Sequence, residues 1–296
     1  MGNTPHKEKL MAAIANPKCA PDLTILKEAE KAYHKWVERL GAISSIGKQK
    51  VLEMTNVLNE YKDYLEVDLI ARKGSSFIKR QKGQLKLDNS IIEEFLIRLI
   101  DPSIIKGLPS FDLEIGPHTA FMSLSFRPSN IAQLDHRPEV VLKLKDQDFA
   151  IGKAIHYKFS SSPDFADKKT TNGSLFLSVL SAECKVNLDK TMFQECAGTA
   201  SRLKLGSPVS KYYVLAEYLD MQPEDCRLTE IANVFLLRHA KRLPADKRPI
   251  FEEVRDQHKD SPIDPEVILR FVMEIQNFIG AAWYDPHEAL KRGSFN

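Results

Sequence analysis

Cysteine is scarce in this chain, with four among 296 residues, at Cys19, Cys184, Cys196 and Cys226. They lie far apart with no C-x-x-C spacing, so they read as free thiols of a reducing cytoplasm and need neither a disulfide nor a zinc site. Long apolar runs are absent too, and none reaches the length that crosses a bilayer. The opening Met1-Gly2-Asn3-Thr4-Pro5-His6-Lys7 stretch is polar and has no apolar h-region, which argues against export. His6 stands where an N-myristoylation signal wants Ser or Thr. Charge of one sign is lacking as well: the formal net charge is only +2, so any nucleic-acid surface must come from distribution and not from total basicity. No P-loop, H-E-x-x-H or G-x-S-x-G is found, which sets aside ATP-driven, zincin and serine-hydrolase chemistry. There is no internal repeat and no low-complexity tract.

What is present is an ordinary globular composition, enough for one large or two small domains. Three regions follow from periodicity. Residues 1–65 read as helical: Leu26, Ala29, Tyr33, Trp36, Val37 and Leu40 form one stripe, and Val51, Met54, Val57, Leu58, Tyr61 and Leu65 a second. The turn between them, from Gly41 to Gly47, makes an αα-hairpin. Residues 66–225 mix strand and helix. Residues 226–296 return to helix, one beginning at Thr229 and running through Val234, Phe235 and Leu236, another opened by Asp264-Pro265. The stripes in 22–65 and 264–279 serve as core or as a seam to a second subunit.

The middle region holds the most informative block. An apolar, β-forming run from Leu175 ends in Glu183-Cys184-Lys185, and Asp189 then starts a helix with Met192, Cys196, Ala200 and Leu203 on one stripe. Residues two apart on a strand share a face, so Glu183 and Lys185 emerge side by side. A carboxylate and an ammonium at the open end of a buried strand suit a divalent metal and an oriented water, the needs of phosphodiester hydrolysis. Pro163-Asp164 lies nineteen residues before Glu183, across a polar, Gly-containing turn. Beyond the helix, Gly206-Ser207-Pro208 breaks the chain and Lys211–Leu219 reads as a buried strand.

Pro-Asp, a spacer, Glu-x-Lys, helix and strand in this order resemble the PD-(D/E)xK nuclease superfamily. The wording from Glu183 to Glu195, with Arg72–Phe77, Ser90–Leu96 and Gln147–Lys153, resembles type II restriction endonucleases of the BbvCI kind over roughly residues 65–220. The resemblance implies an α/β fold, with a mixed central sheet flanked by helices and helical additions at both ends. It implies a sequence-specific, Mg²⁺-dependent endonuclease subunit acting on double-stranded DNA. Each subunit would carry one active site cutting one strand, paired with a homologous second nuclease subunit, identical or different. A structure-selective repair or junction nuclease and a non-catalytic specificity subunit are the alternatives.

Glu183 is read as a metal ligand and Lys185 as the group that polarises the attacking water or stabilises charge on the scissile phosphate. Asp164 is the second ligand on spacing, with Asp148, at the head of the strand Phe149–Tyr157, as its rival. Glu93 completes an S-x-x-E capping box with Ser90, whereas Glu94 has no such explanation and is a candidate for the site. Gln194 and Glu195, one turn into the following helix, could reach it from behind. Gly116-Pro117-His118 reads as a turn. For DNA contact the segment from Ala71 to Lys86 is the candidate arm, with Arg72, Lys73, Lys79 and Arg80 foremost and no acidic residue between. A second basic set, Arg238, His239, Lys241, Arg242, Lys247 and Arg248, and a third, His136, Arg137, Lys143, Lys145 and Lys153, complete the inventory.

Overall fold

The computed structural model describes residues 3–74, 87–108, 112–281 and 286–293. Its first helices are α1 (Pro5–Ala15), α2 (Leu23–Gly41) and α3 (Gly47–Lys62), and α3 continues as a wider π-helical stretch, Asp63–Lys73. Helix α4 (Leu87–Leu99) leads into β1 (Glu114–Phe126), β2 (Val140–Ser160) and β3 (Thr170–Leu188). Helix α5 (Lys190–Gly206), strands β4 (Lys211–Leu219) and β5 (Asn233–Ala240), and helices α6 (Phe251–Asp260), α7 (Pro265–Gly280) and α8 (Pro286–Arg292) follow.

The five strands lie in chain order in one mixed sheet. β1, β2 and β3 are antiparallel neighbours, while β3, β4 and β5 run parallel. β2 is the long member. It pairs with β1 from Val140 to Gly152 and with β3 from Phe149 to Ser160, so it passes from one partner to the other. The register shifts between Ile151 and Gly152. A Cβ on Gly152 would stand 2.2 Å from the Leu177 carbonyl oxygen, so only glycine allows this close crossing.

Two apolar layers hold the sheet. On one face Phe149, Ile151, Leu180, Ala182, Cys184, Tyr213, Leu215, Phe235 and Leu237 pack against α2, α3, α4 and α7. On the other, Ala150, Tyr212, Val214 and Ala216 meet Phe193, Cys196, Ala200 and Leu203 of α5. α4 lies inside the first layer and is buried nearly all round, including Glu93 and Glu94. The stripes of α2, α3 and α7 are spent on this internal core, with Leu26, Leu58 and Phe271 in one cluster, and do not form the subunit seam offered as their other use.

Local chemistry explains the clearest boundaries. Asp189 Oδ1 accepts from the Met192 N–H at 2.9 Å and Asp264 Oδ1 from the Glu266 N–H at 2.8 Å, with Pro265 in the first helical turn, so both are N-caps. The helix expected from Thr229 is not formed. Thr229 Oγ1 donates to the Cys226 carbonyl and accepts from the Ile231 N–H, closing a turn, and the apolar run that follows becomes β5 beside β4. Gly116-Pro117-His118 is no turn either; it lies within β1 at a register shift against β2. Ser90 is not a cap: α4 is already helical at Leu87, and the Ser90 hydroxyl bonds back to the Leu87 carbonyl.

Candidate active site

β2 and β3 pair only as far as Phe149 opposite Ala182. Beyond that point β2 stays with β1, and β3 runs on to Leu188 with only β4 beside it. At the fork the Cys184 N–H donates to the Asp148 carboxylate, with Oδ2 at 3.0 Å. The sheet therefore opens where Glu183, Cys184 and Lys185 stand, and Asp148 is bound to the middle residue of the three. It lies inside β2 and not at the head of a strand.

Glu183 and Lys185 share a face, as the period of two requires, and Lys185 Nζ lies 2.5 Å from Glu183 Oε1. Their side chains are 15% and 25% exposed, enough for both to meet a ligand from solvent. Burial alone would lower the Lys185 pKa, but the charge and hydrogen bond of Glu183, helped by Asp148, hold it above the ordinary lysine value. Lys185 is therefore a fixed cation at neutral pH and not a proton acceptor. Cys184 points into the opposite, buried layer; burial first, and then the charges of Asp148, Glu93 and Glu183, push its thiol far above the usual range. It remains a protonated thiol and offers no soft ligand.

Asp164 is not at this place. It sits exposed in the loop between β2 and β3, bonded to the Ser162 hydroxyl. That loop closes the far end of the hairpin, where Ser160 faces Thr170, eleven ladder positions from Phe149. At the rise of an extended strand this is about 35 Å from the fork. The Pro-Asp spacing is satisfied in sequence and unsatisfied in space, because β2 and β3 are much longer than the motif assumes.

Of the two α4 carboxylates, Glu94 faces away from the fork. Its Oε1 accepts from Tyr33 at 2.7 Å and from Arg98 at 2.5 Å, and its Oε2 from the His6 and Lys7 backbone N–H groups at the start of α1. Glu93 is the one near enough to Cys184 to act on its charge balance. Gln194 and Glu195 are exposed on α5, whose contribution toward the site is Cys196. Tyr212 of β4, buried beneath Glu183, was not visible as a site residue; in sequence it is one more apolar position of a buried strand.

The donor set suits a hard cation. Two carboxylates, Glu183 and Asp148, come from adjacent strands and offer oxygen. Among the described residues no group of three or more His, Cys, Asp or Glu is arranged to hold an ion by itself. Mg²⁺ does not need such a cage, since it is held through one or two carboxylates and completes its shell with water and phosphate.

Arg72 and Lys73 end the π-helical stretch as exposed cations, paired with Asp68 at 3.1 Å and Glu28 at 3.2 Å. Lys79 and Arg80 lie outside the described residues. Exposed pairs of this kind are worth little and exchange readily for phosphate. The second basic set is partly structural: Arg238 is buried on Glu217 at 2.9 Å, and His239 lies 2.8 Å from Asp264. In the third set, Lys143 and Lys145 are exposed on β2.

A family model described as Bpu10I restriction endonuclease matches residues 84–295. The chain belongs to the Bpu10I restriction endonuclease family. The match takes in α4, which carries Glu93, and the whole sheet with its fork. Among solved structures, the chain is similar to a chain of the native BbvCI A2B2 tetramer, with a TM-score of 0.61 and 19% identity over 94% of this chain and 97% of that one. At that identity the likeness carries the fold, which agrees with the BbvCI-like mixed sheet and flanking helices read from the residues. No curated protein sequence matches. No helix of the described residues is long and apolar enough to cross a membrane.

Proposed function

We propose that this member of the family is the subunit of a type II restriction endonuclease that hydrolyses double-stranded DNA in the presence of Mg²⁺, through a PD-(D/E)xK site made of Asp148, Glu183 and Lys185. One observation carries the reading. At the fork in the sheet, a carboxylate from β2 and the Glu-x-Lys pair of β3 meet around a single backbone amide. In this reading Asp148 takes the part that spacing gave to Asp164, since Asp148 bonds at the fork and Asp164 lies in the far loop.

Asp148 and Glu183 would hold the cation. When bound, it supplies Lewis-acid polarisation of a phosphoryl oxygen and acidification of a water. The remaining work belongs to the chain. Lys185, held as a cation by Glu183, turns its ammonium toward the scissile phosphate and stabilises the negative charge that grows there. Asp148 fixes the Cys184 amide, and with it the backbone that aims Glu183 and Lys185 to the same side. Arg72, Lys73, Lys79 and Arg80 are proposed as backbone-phosphate contacts, which position the duplex without reading it. One such site reaches one strand, so cleavage of both requires a second subunit related by an approximate two-fold axis.

Incubation of the full chain, alone and with a homologous subunit, with plasmid and Mg²⁺ tests the reading. Discrete products or nicks at one sequence are expected. Junction-only cutting would point to a repair nuclease, and binding without cutting to a specificity subunit. Glu183→Ala and Lys185→Ala should each abolish cleavage while DNA binding in Ca²⁺ stays near wild type, because the lost interactions act in the transition state. A full cutting rate in either variant would remove the assignment.

A further inference from the structure

Tyr212 stands on β4 beside the strand of the Glu-x-Lys pair. The parallel register sets Ser181 against Tyr212 and Glu183 against Val214. Tyr212 and Glu183 thus share a sheet face on neighbouring strands, a diagonal pair within reach of a long side chain. Tyr212 is only 1% exposed, and its hydroxyl donates to Glu183 Oε2 at 3.4 Å. Lys185 holds the other oxygen, Oε1. The two oxygens of one carboxylate therefore have different neighbours, a buried neutral hydroxyl behind and a partly exposed ammonium in front.

A buried hydroxyl needs an acceptor. Its other polar neighbour is the Cys196 thiol of α5, with which it also shares a hydrogen bond but which is the weaker acceptor. Glu183 is thus the strong acceptor within reach. The 3.4 Å contact is long, as such bonds often are in a free enzyme before the reacting complex draws them in.

We propose that Tyr212 is a positioning residue for cleavage: its hydroxyl anchors Glu183 through Oε2, so that Oε1 faces Lys185 and the incoming cation. The proposal rests on the reading of Glu183 as a metal ligand. Removing the hydroxyl leaves the carboxylate and its charge in place but frees its rotation, and the ordering then has to be supplied when the ion binds. The loss falls on cation affinity and not on the rate once the ion is in place.

The test uses the full chain in its cleaving assembly, with Tyr212→Phe, Glu183→Gln and the double variant. Mg²⁺ is titrated in plasmid cleavage, and Mn²⁺ binding is followed separately by its electron paramagnetic resonance signal without turnover. Tyr212→Phe should raise half-saturating Mg²⁺ and weaken Mn²⁺ binding roughly tenfold. Its rate at saturating Mg²⁺ should stay within about twofold of wild type. In the Glu183→Gln background the same change should add nothing. Unchanged affinity in Tyr212→Phe, when Glu183→Gln has lost Mn²⁺ binding, overturns the role of Tyr212 alone. Unchanged affinity in Glu183→Gln overturns the ligand reading and the proposal with it. A loss in Tyr212→Phe that persists in the double variant, or that comes with a matching drop in thermal midpoint, marks Tyr212 as a packing residue and also overturns the proposal.

Discussion

Asp148 and Asp164 are chemically identical, and the fold separates them. Asp148 accepts the Cys184 N–H at the fork in the sheet, while Asp164 turns a loop at the far end of the same hairpin. Asp148→Asn should therefore lower cleavage by roughly a hundredfold or more, and Asp164→Asn should leave the rate at the wild-type level. Single-turnover assays of the two variants decide it, and the reverse ranking would move the metal ligand back to the loop. Glu183 and Lys185 were legible in the sequence because their relation is local: two residues apart on a strand always means one face. The upstream ligand proposed here was not, since its place depends on where β2 leaves β3, which spacing does not encode. The same holds for the pair on α4. A capping box seemed to occupy Glu93 and free Glu94, yet the helix is already formed at Leu87, and the phase that follows turns Glu93 toward the sheet and Glu94 toward α1.

At the scale of elements, α1 is held by the reverse face of the helix that carries Glu93. Glu94 takes the first N–H groups of α1, and the buried His6 ring lies 2.9 Å from the Ser90 hydroxyl and 2.7 Å from the Tyr61 hydroxyl. Burial, and after it the nearby Lys62 charge, brings the His6 pKa down to about 3. The folded state thus binds the His6 proton less well than the unfolded chain does. The contribution of neutral His6 is complete above the unfolded value near 6.5 and is lost as pH falls from there toward 3, an upper bound on the order of 4–5 kcal/mol. Urea denaturation at a series of pH values between 7 and 4 should show a shallower loss for His6→Phe than for wild type, whatever its stability at pH 7. Parallel profiles would contradict the assignment. Lys62 itself is fully buried between Glu66 and Glu217, at 2.5 and 2.8 Å, a charged layer under β4 that hydrophobic patterning cannot foresee. Helices opened by Asp189 and Asp264 were readable from their caps. The Thr229 stretch was misread because its apolar residues fit either period, and only the free edge of β4 decides for a strand.

For the whole molecule, the apolar stripes of residues 22–65 and 264–279 are consumed inside the chain, so they are not the surface that would pair two subunits. Under the proposed function, cleavage of both strands still calls for pairing, because one fork presents one Glu-x-Lys site and the two strands of a duplex run antiparallel across a groove. The most direct measurement is strand-resolved end-labelling on a cognate duplex, with a Glu183→Ala form of this chain assembled with an intact homologous subunit. The assembly should nick one defined strand at the wild-type position and leave the other whole. Cutting of both strands by that assembly, or full double-strand cleavage by a proven monomer, would contradict one Asp148–Glu183–Lys185 site per strand.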